Sequence, residues 1–229
     1  MTGVTINPLT VVTWAAVFFA EDATWSHPAD GAAISQWDDG SGNSRHASQA
    51  TESKKPTYTA ADATLNGKAS VAFSRASTQS LGTASWTLAQ PVSYVAVAYL
   101  SDTTGEHYLV GGSSLVGDTS AANKWQMYAG SAVVASTPLA NTSPHLFTWV
   151  YNGASSKAYI DGTEVASGSP GSGGVSGGLK IARFNDVAET ANWDGGVALL
   201  GVYAGDITAD GGYASLKTFV ATHYDLTVA

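Results

Sequence analysis

Residues 37–58 read WDDGSGNSRHASQATESKKPTY, and this stretch decides the fold. Trp37 closes a short β-like segment, Ala32 to Trp37, and the run Asp38-Asp39-Gly40-Ser41-Gly42-Asn43 then reverses the chain toward Pro56-Thr57-Tyr58. Gly and Asn accept the positive φ values of a tight reversal, while Asp and Ser side chains bond nearby backbone groups. The run therefore predicts a structured corner and not a loose loop.

Outward from the corner, short apolar segments alternate with turn residues. They are Leu9 to Phe19, Ala69 to Phe73, Ser93 to Leu100, Tyr108 to Val110, Trp125 to Tyr128, Phe147 to Tyr151, Ala158 to Ile160, Leu179 to Ala182 and Val197 to Tyr203. That rhythm predicts an all-β fold, a two-sheet antiparallel β-sandwich. Tyr94 to Tyr99 and Val197 to Tyr203 are apolar at nearly every position, as expected of central strands covered on both faces. Phe147 to Tyr151 leads through Asn152-Gly153 to Lys157 to Ile160, which turns at Asp161-Gly162 into Thr163-Glu164-Val165; Asn-Gly and Asp-Gly are favoured hairpin turns. A short C-terminal helix is predicted where Tyr213, Leu216, Val220 and Tyr224 share one face, with Thr208 as its cap. Trp37, Phe73, Val95, Val97, Trp149, Tyr159, Leu199 and Val202 are the expected core.

The corner also resembles the W-x-D-x-S-G-N-x-x-x-A-x-Q string of laminin-G-like jelly rolls in the concanavalin A-like lectin/glucanase superfamily. Trp37, Asp39, Ser41, Gly42, Asn43, Ala47 and Gln49 carry the match. The run from Val150 to Gly168, then Leu179 to Ala182 and Trp193 to Val197, continue it, so the resemblance spans about residues 14 to 226. Phe19 departs from it, since Trp often stands there. The resemblance implies a jelly roll and leaves the ligand open.

With 229 residues and no internal linker, the expectation is an N-terminal arm (1–12) and a single jelly-roll domain (13–229). Ten Lys and Arg against 18 Asp and Glu leave a net charge of −8, which disfavours nucleic acid and anionic membranes as partners. Leu9 to Ala20 is too short to span a bilayer. It also lacks a basic flank, so the reading is of a chain that starts at Met1 without an export signal. Cysteine is absent, which removes disulfides and thiolate metal sites.

No catalytic residue is assigned. Glu21, Glu52, Glu106, Glu164 and Glu189 show none of the E-x-D-x-E spacing that places a nucleophile and an acid on one strand face. The five His residues lack ligand spacing, Asp38 to Asn43 lacks the alternating carboxylates of a calcium loop, and no metal or cofactor is expected. The aromatic residues remain. Rings with a polar neighbour grip sugars, and Trp125 with Tyr128, Asn123, His107 and Asp118 is the predicted ligand face.

A jelly roll without catalytic residues implies a binding or structural module. An unsignalled stand-alone chain, rich in Ala, Gly, Thr and Val as GC-rich coding produces, favours a non-enzymatic phage virion protein. Such a protein would be a minor tail protein or capsid decoration that binds host-surface glycan. The alternative is a bacterial carbohydrate-binding or adhesion module at the cell surface, and a glycan hydrolase ranks third. The uncharged arm Met1 to Val12 is expected to pack on neighbouring virion subunits in an oligomeric assembly, because its Val and Leu side chains are costly to leave in water.

Overall fold

The computed structural model describes residues 7–112, 123–135, 141–184 and 191–229, and residues 116–120 through their backbone. Among these the strands are β1 (Trp14–Phe19), β2 (Gln36–Trp37), β3 (Ala47–Ser48), β4 (Thr57–Asp62), β5 (Lys68–Phe73), β6 (Leu81–Thr83), β7 (Val92–Ala98) and β8 (His107–Gly111). They continue with β9 (Val116–Ser120), β10 (Lys124–Tyr128), β11 (Ala132–Val134), β12 (His145–Tyr151), β13 (Ser156–Ile160), β14 (Thr163–Gly168), β15 (Lys180–Ile181) and β16 (Gly195–Tyr203). One α-helix, α1 (Gly212–Tyr224), follows. The chain is an all-β, two-sheet antiparallel sandwich with a C-terminal helix.

The first sheet runs β14-β13-β12-β7-β16-β5-β4, with β1 also on β16; the second runs β11-β10-β9-β8-β15-β6-β3-β2. Between them Trp37, Phe73, Trp149, Trp193 and Leu200 form the main core. The double-sided apolar strands mark a second interior. Val95, Val97 and Leu199 point away from the second sheet and lie under α1, with Leu216, Phe219 and Val220. The structure thus moves these three expected core residues from the inter-sheet layer to the helix–sheet layer. Tyr159 is half-buried. Each of Leu216, Phe219 and Val220 taken out of water contributes about 1.5–3 kcal/mol.

Asp39 organises the corner. It is 7% exposed, and its carboxylate accepts the amides of Val17, Ser41 and Arg45 and the Ser41 hydroxyl at 2.8–2.9 Å. Gly40 donates its amide to the Val17 carbonyl, while Asn43 Nδ2 and Arg45 Nη1 donate to the Ala15 carbonyl. These bonds occupy the edge of β1 that faces away from β16, an edge that would otherwise invite another strand. N–H and O–H groups donate twice to each Asp39 oxygen, which leaves that carboxylate no free lone pair for a cation.

Residues 7–12 lie on the domain itself. Val12 is buried, Leu9 and Val11 pack on the helix-side cluster, and the Trp14 indole donates to the Pro8 carbonyl at 2.8 Å. Leu9 and Val11 remain half-buried there, and Val4 and Ile6 lie outside the described residues. Gly212 opens α1 because a Cβ there would run into the Val11 carbonyl oxygen. Thr208 does not cap the helix. Asp206 accepts its amide in a short 3-10 turn (Ile207–Ala209), and Asp210 accepts the Gly212 amide at 2.7 Å at the helix start.

Candidate functional site

Strand parity separates the predicted ligand residues. Along β10, Trp125 and Met127 are buried while Lys124, Gln126 and Tyr128 are half-buried on the opposite face. Trp125 is 2% exposed and its ring sits 4.4 Å from Phe147 and 6.0 Å from Trp193, inside the core. His107 is also fully buried. It faces Arg75, whose Nη1 lies 3.0 Å from Nε2. A guanidinium can only donate, so Nε2 accepts and the neutral ring carries its proton on Nδ1. Burial, and then the Arg75 charge, hold His107 below the usual imidazole range. Asn123 occupies the turn before β10 with φ of +55°. The Asp118 side chain lies outside the described residues, but its backbone pairs with Tyr108 and Gln126.

Strand parity therefore places Tyr128 on the solvent face of the second sheet, while Asp118 enters that sheet through its backbone. Trp125 and His107 stand on the inner face, where they offer no ring to a ligand. Of the seven tryptophans, six are buried, and the half-buried Trp86 lies under the Arg45 guanidinium at 4.0 Å.

The residues that share the outer face with Tyr128 come from distant parts of the chain. One backbone row of the register runs through Tyr108, Asp118, Gln126 and Val134; Tyr128 pairs with Val116, and a further row runs through Gly111, Lys180, Gly82, Ser48 and Gln36. After β15 the chain folds back over this face. A Cβ at Gly111 would run into the carbonyl oxygens of Arg183 and Phe184 and lie 2.7 Å from the Phe184 Cα, so only glycine lets the segment lie so close. Phe184 consequently reaches both Tyr108, at 5.5 Å between ring centroids, and Tyr128, at 6.2 Å.

The result is a half-buried aromatic trio, Tyr108, Tyr128 and Phe184, on the outer face of the second sheet. The Tyr108 hydroxyl donates to Glu106 Oε2 at 3.0 Å, and Gln126, Lys180 and Arg183 stand alongside. Sites of this composition combine ring surface with a few oriented polar groups. A cleft of about 390 Å³ lies on the helix side, between Pro8, Leu9, Phe19, Glu21 and Phe219; Glu21 there is taken by His223.

No family model matches the chain, and no curated protein matches it. Solved structures do. Trypanosoma rangeli sialidase in complex with sialic acid aligns with a TM-score of 0.54 and 12% identity over 95% of this chain. The chain spans about a third of that enzyme's length, 34%. Domain 4 of AbnA, a GH43 extracellular arabinanase from Geobacillus stearothermophilus, in complex with arabinotriose, aligns with a TM-score of 0.52 and 11% identity, covering 74% of this chain and 81% of that domain. At these identities the likeness establishes a shared β-sandwich architecture.

Proposed function

We propose that this chain is a non-catalytic carbohydrate-binding β-sandwich module whose ligand face is the solvent side of the second sheet. The observation that carries the reading is the trio Tyr108, Tyr128 and Phe184, held half-open beside Gln126 and Lys180. Ring faces stack on the C–H faces of pyranoses, and amide, ammonium and carboxylate groups then fix the hydroxyls. That two architectural neighbours are described with bound sugars is consistent with this reading. Neither of them is a particle protein, and no feature of the described residues favours the virion role over the binding module.

The carboxylates support binding without hydrolysis. Glu21 is engaged by His223, Glu52 by Lys55, Glu106 by Tyr108 and Glu164 by Lys157, each on a different element; Glu189 lies outside the described residues. Screening on a glycan array followed by calorimetry tests the reading. Tyr128→Ala and Phe184→Ala should each weaken a hit by about tenfold, equivalent to about 1.4 kcal/mol, with the melting temperature preserved. Undiminished affinity in both variants would remove the face from consideration, and steady release of reducing ends, lost on replacing one carboxylate, would make the chain an enzyme.

A further inference from the structure

The helix-side cleft holds a carboxylate oxygen that nothing satisfies. Asp22 lines the cleft and is 2% exposed, and its Oδ1 accepts the Thr24 amide and hydroxyl at 2.9 and 2.8 Å. Its Oδ2 meets no hydrogen-bond donor among the described residues. Glu21 differs from its neighbour, since His223 and the Ala69 amide engage it. A buried carboxylate oxygen left unpaired works against the fold, and a donor entering the cleft would recover that loss. The remaining walls say which donor fits. Pro8, Leu9, Phe19 and Phe219 are apolar, and the two Phe rings stand edge to face with centroids 6.0 Å apart. Such walls suit a hydrocarbon body, ring faces attract a cation, and an anionic oxygen prefers a charged N–H to a neutral one. The volume of about 390 Å³ is that of a small-molecule pocket.

We infer that this cleft binds a small organic primary ammonium ion, whose N–H groups bond Asp22 Oδ2 while its hydrocarbon body lies along Pro8, Phe19 and Phe219. Gly40 shapes the entry. A Cβ there would stand 2.7 Å from Asp22 Oδ2 and 3.0 Å from Leu9 Cδ2, so the oxygen and the Leu9 side chain meet over a missing side chain. Leu9 is half-buried on the arm, and a turn of its side chain admits the ammonium head. The cleft and the aromatic trio lie on the outer faces of different sheets, so this site stands apart from the carbohydrate-binding reading.

Nuclear magnetic resonance titration of the full chain tests the site. The reporters are the Thr24 amide, which bonds Asp22, and the Trp14 indole N–H, which bonds Pro8. The probes are n-hexylammonium, n-hexanol, hexyltrimethylammonium and calcium chloride. Hexylammonium should shift both signals to saturation and bind about tenfold more tightly than hexanol or the trimethyl ion, because it alone of the three brings both charge and N–H donors. Asp22→Asn keeps the side-chain shape and an acceptor for Thr24 but removes the charge, so hexylammonium should fall to the affinity of hexanol. Gly40→Ala keeps the charge and sets a methyl against Oδ2, with the same expected loss. Melting curves show which variants fold, and the order of the probes on the parent chain decides the matter if neither does. The inference would be overturned by equal affinity for the three hexyl probes or by no shift with hexylammonium. A response of Thr24 to calcium alone, or a preference that survives in folded Asp22→Asn, would overturn it as well.

Discussion

The outer faces of the two sheets are treated in opposite ways. On the first, Val95, Val97 and Leu199 lie beneath α1, and the chain spends its only α-helix among the described residues and part of its N-terminal arm on covering them. On the second, Tyr108, Gln126, Tyr128 and Lys180 remain half-open, crossed among the described residues by the Arg183–Phe184 segment. The contrast separates apolar residues that hold the fold from aromatic residues that are available for something else. A covered face resists substitution because its neighbours cannot collapse into a gap, whereas a half-open one lets solvent replace what is removed.

The sharpest way to break this comparison is to truncate one residue on each side. Leu216→Ala, in the helix–sheet layer, should cost about 2–5 kcal/mol in chemical denaturation, while Tyr128→Ala should stay within about 1 kcal/mol of the parent chain. Similar losses at both positions would mean that the second face is also structural. Gly111→Ala tests the crossing segment. The added methyl meets two backbone carbonyls that cannot rotate away, so we expect a loss of about 1–3 kcal/mol together with loss of glycan affinity, because Phe184 is displaced. Loss of stability with full affinity would show that the segment is not part of the ligand face.

The smallest effect is set by pH. His107 faces Arg75 on the inner side of β8, and its folded-state affinity for protons is depressed. Below the unfolded imidazole value of about 6.5 the unfolded chain takes up a proton that the folded one refuses, so its stabilising contribution is present above that pH and falls as acid is added. Asp102, held low mainly by its hydrogen bonds to Thr104, acts in the same direction only in stronger acid. The melting temperature of the parent should therefore drop more steeply between pH 7 and 5 than that of His107→Gln. Parallel curves would exclude His107 as the source.

Much of the first sheet was legible in the sequence because local chemistry dictates it. Asp161 and Gly162, with φ of +50° and +80°, form the predicted turn between β13 and β14, and the corner residues Asp39, Ser41 and Asn43 bond as their short polar side chains suggest. The division of apolar strands into two interiors was legible only as double-sided hydrophobicity, since nothing in Val95 itself says that a helix will cover it. At the proposed ligand face, indole content put Trp125 ahead of Tyr128, which was predicted beside it, while alternation along Lys124–Tyr128 was the signal that could have reversed that order. Phe184 was missed for a physical reason. The meeting of Phe184 with Tyr108 and Tyr128 is created by strand order and by the absence of a side chain at Gly111, and neither leaves a local pattern.

The pairing of β1 with β16 joins strands far apart in sequence, and it sets when the first sheet can close. Trp14 to Phe19 present an unbroken apolar stretch and are synthesised well before their ladder partners, Leu199 to Tyr203. The corner at Asp39 can dress one edge of β1 soon after synthesis, but the other edge waits. Closure at such long sequence separation is slow, and an exposed strand of this kind invites self-association in the interval. Chains stalled or cleaved before Leu199 should therefore accumulate as aggregates and not as a smaller folded domain.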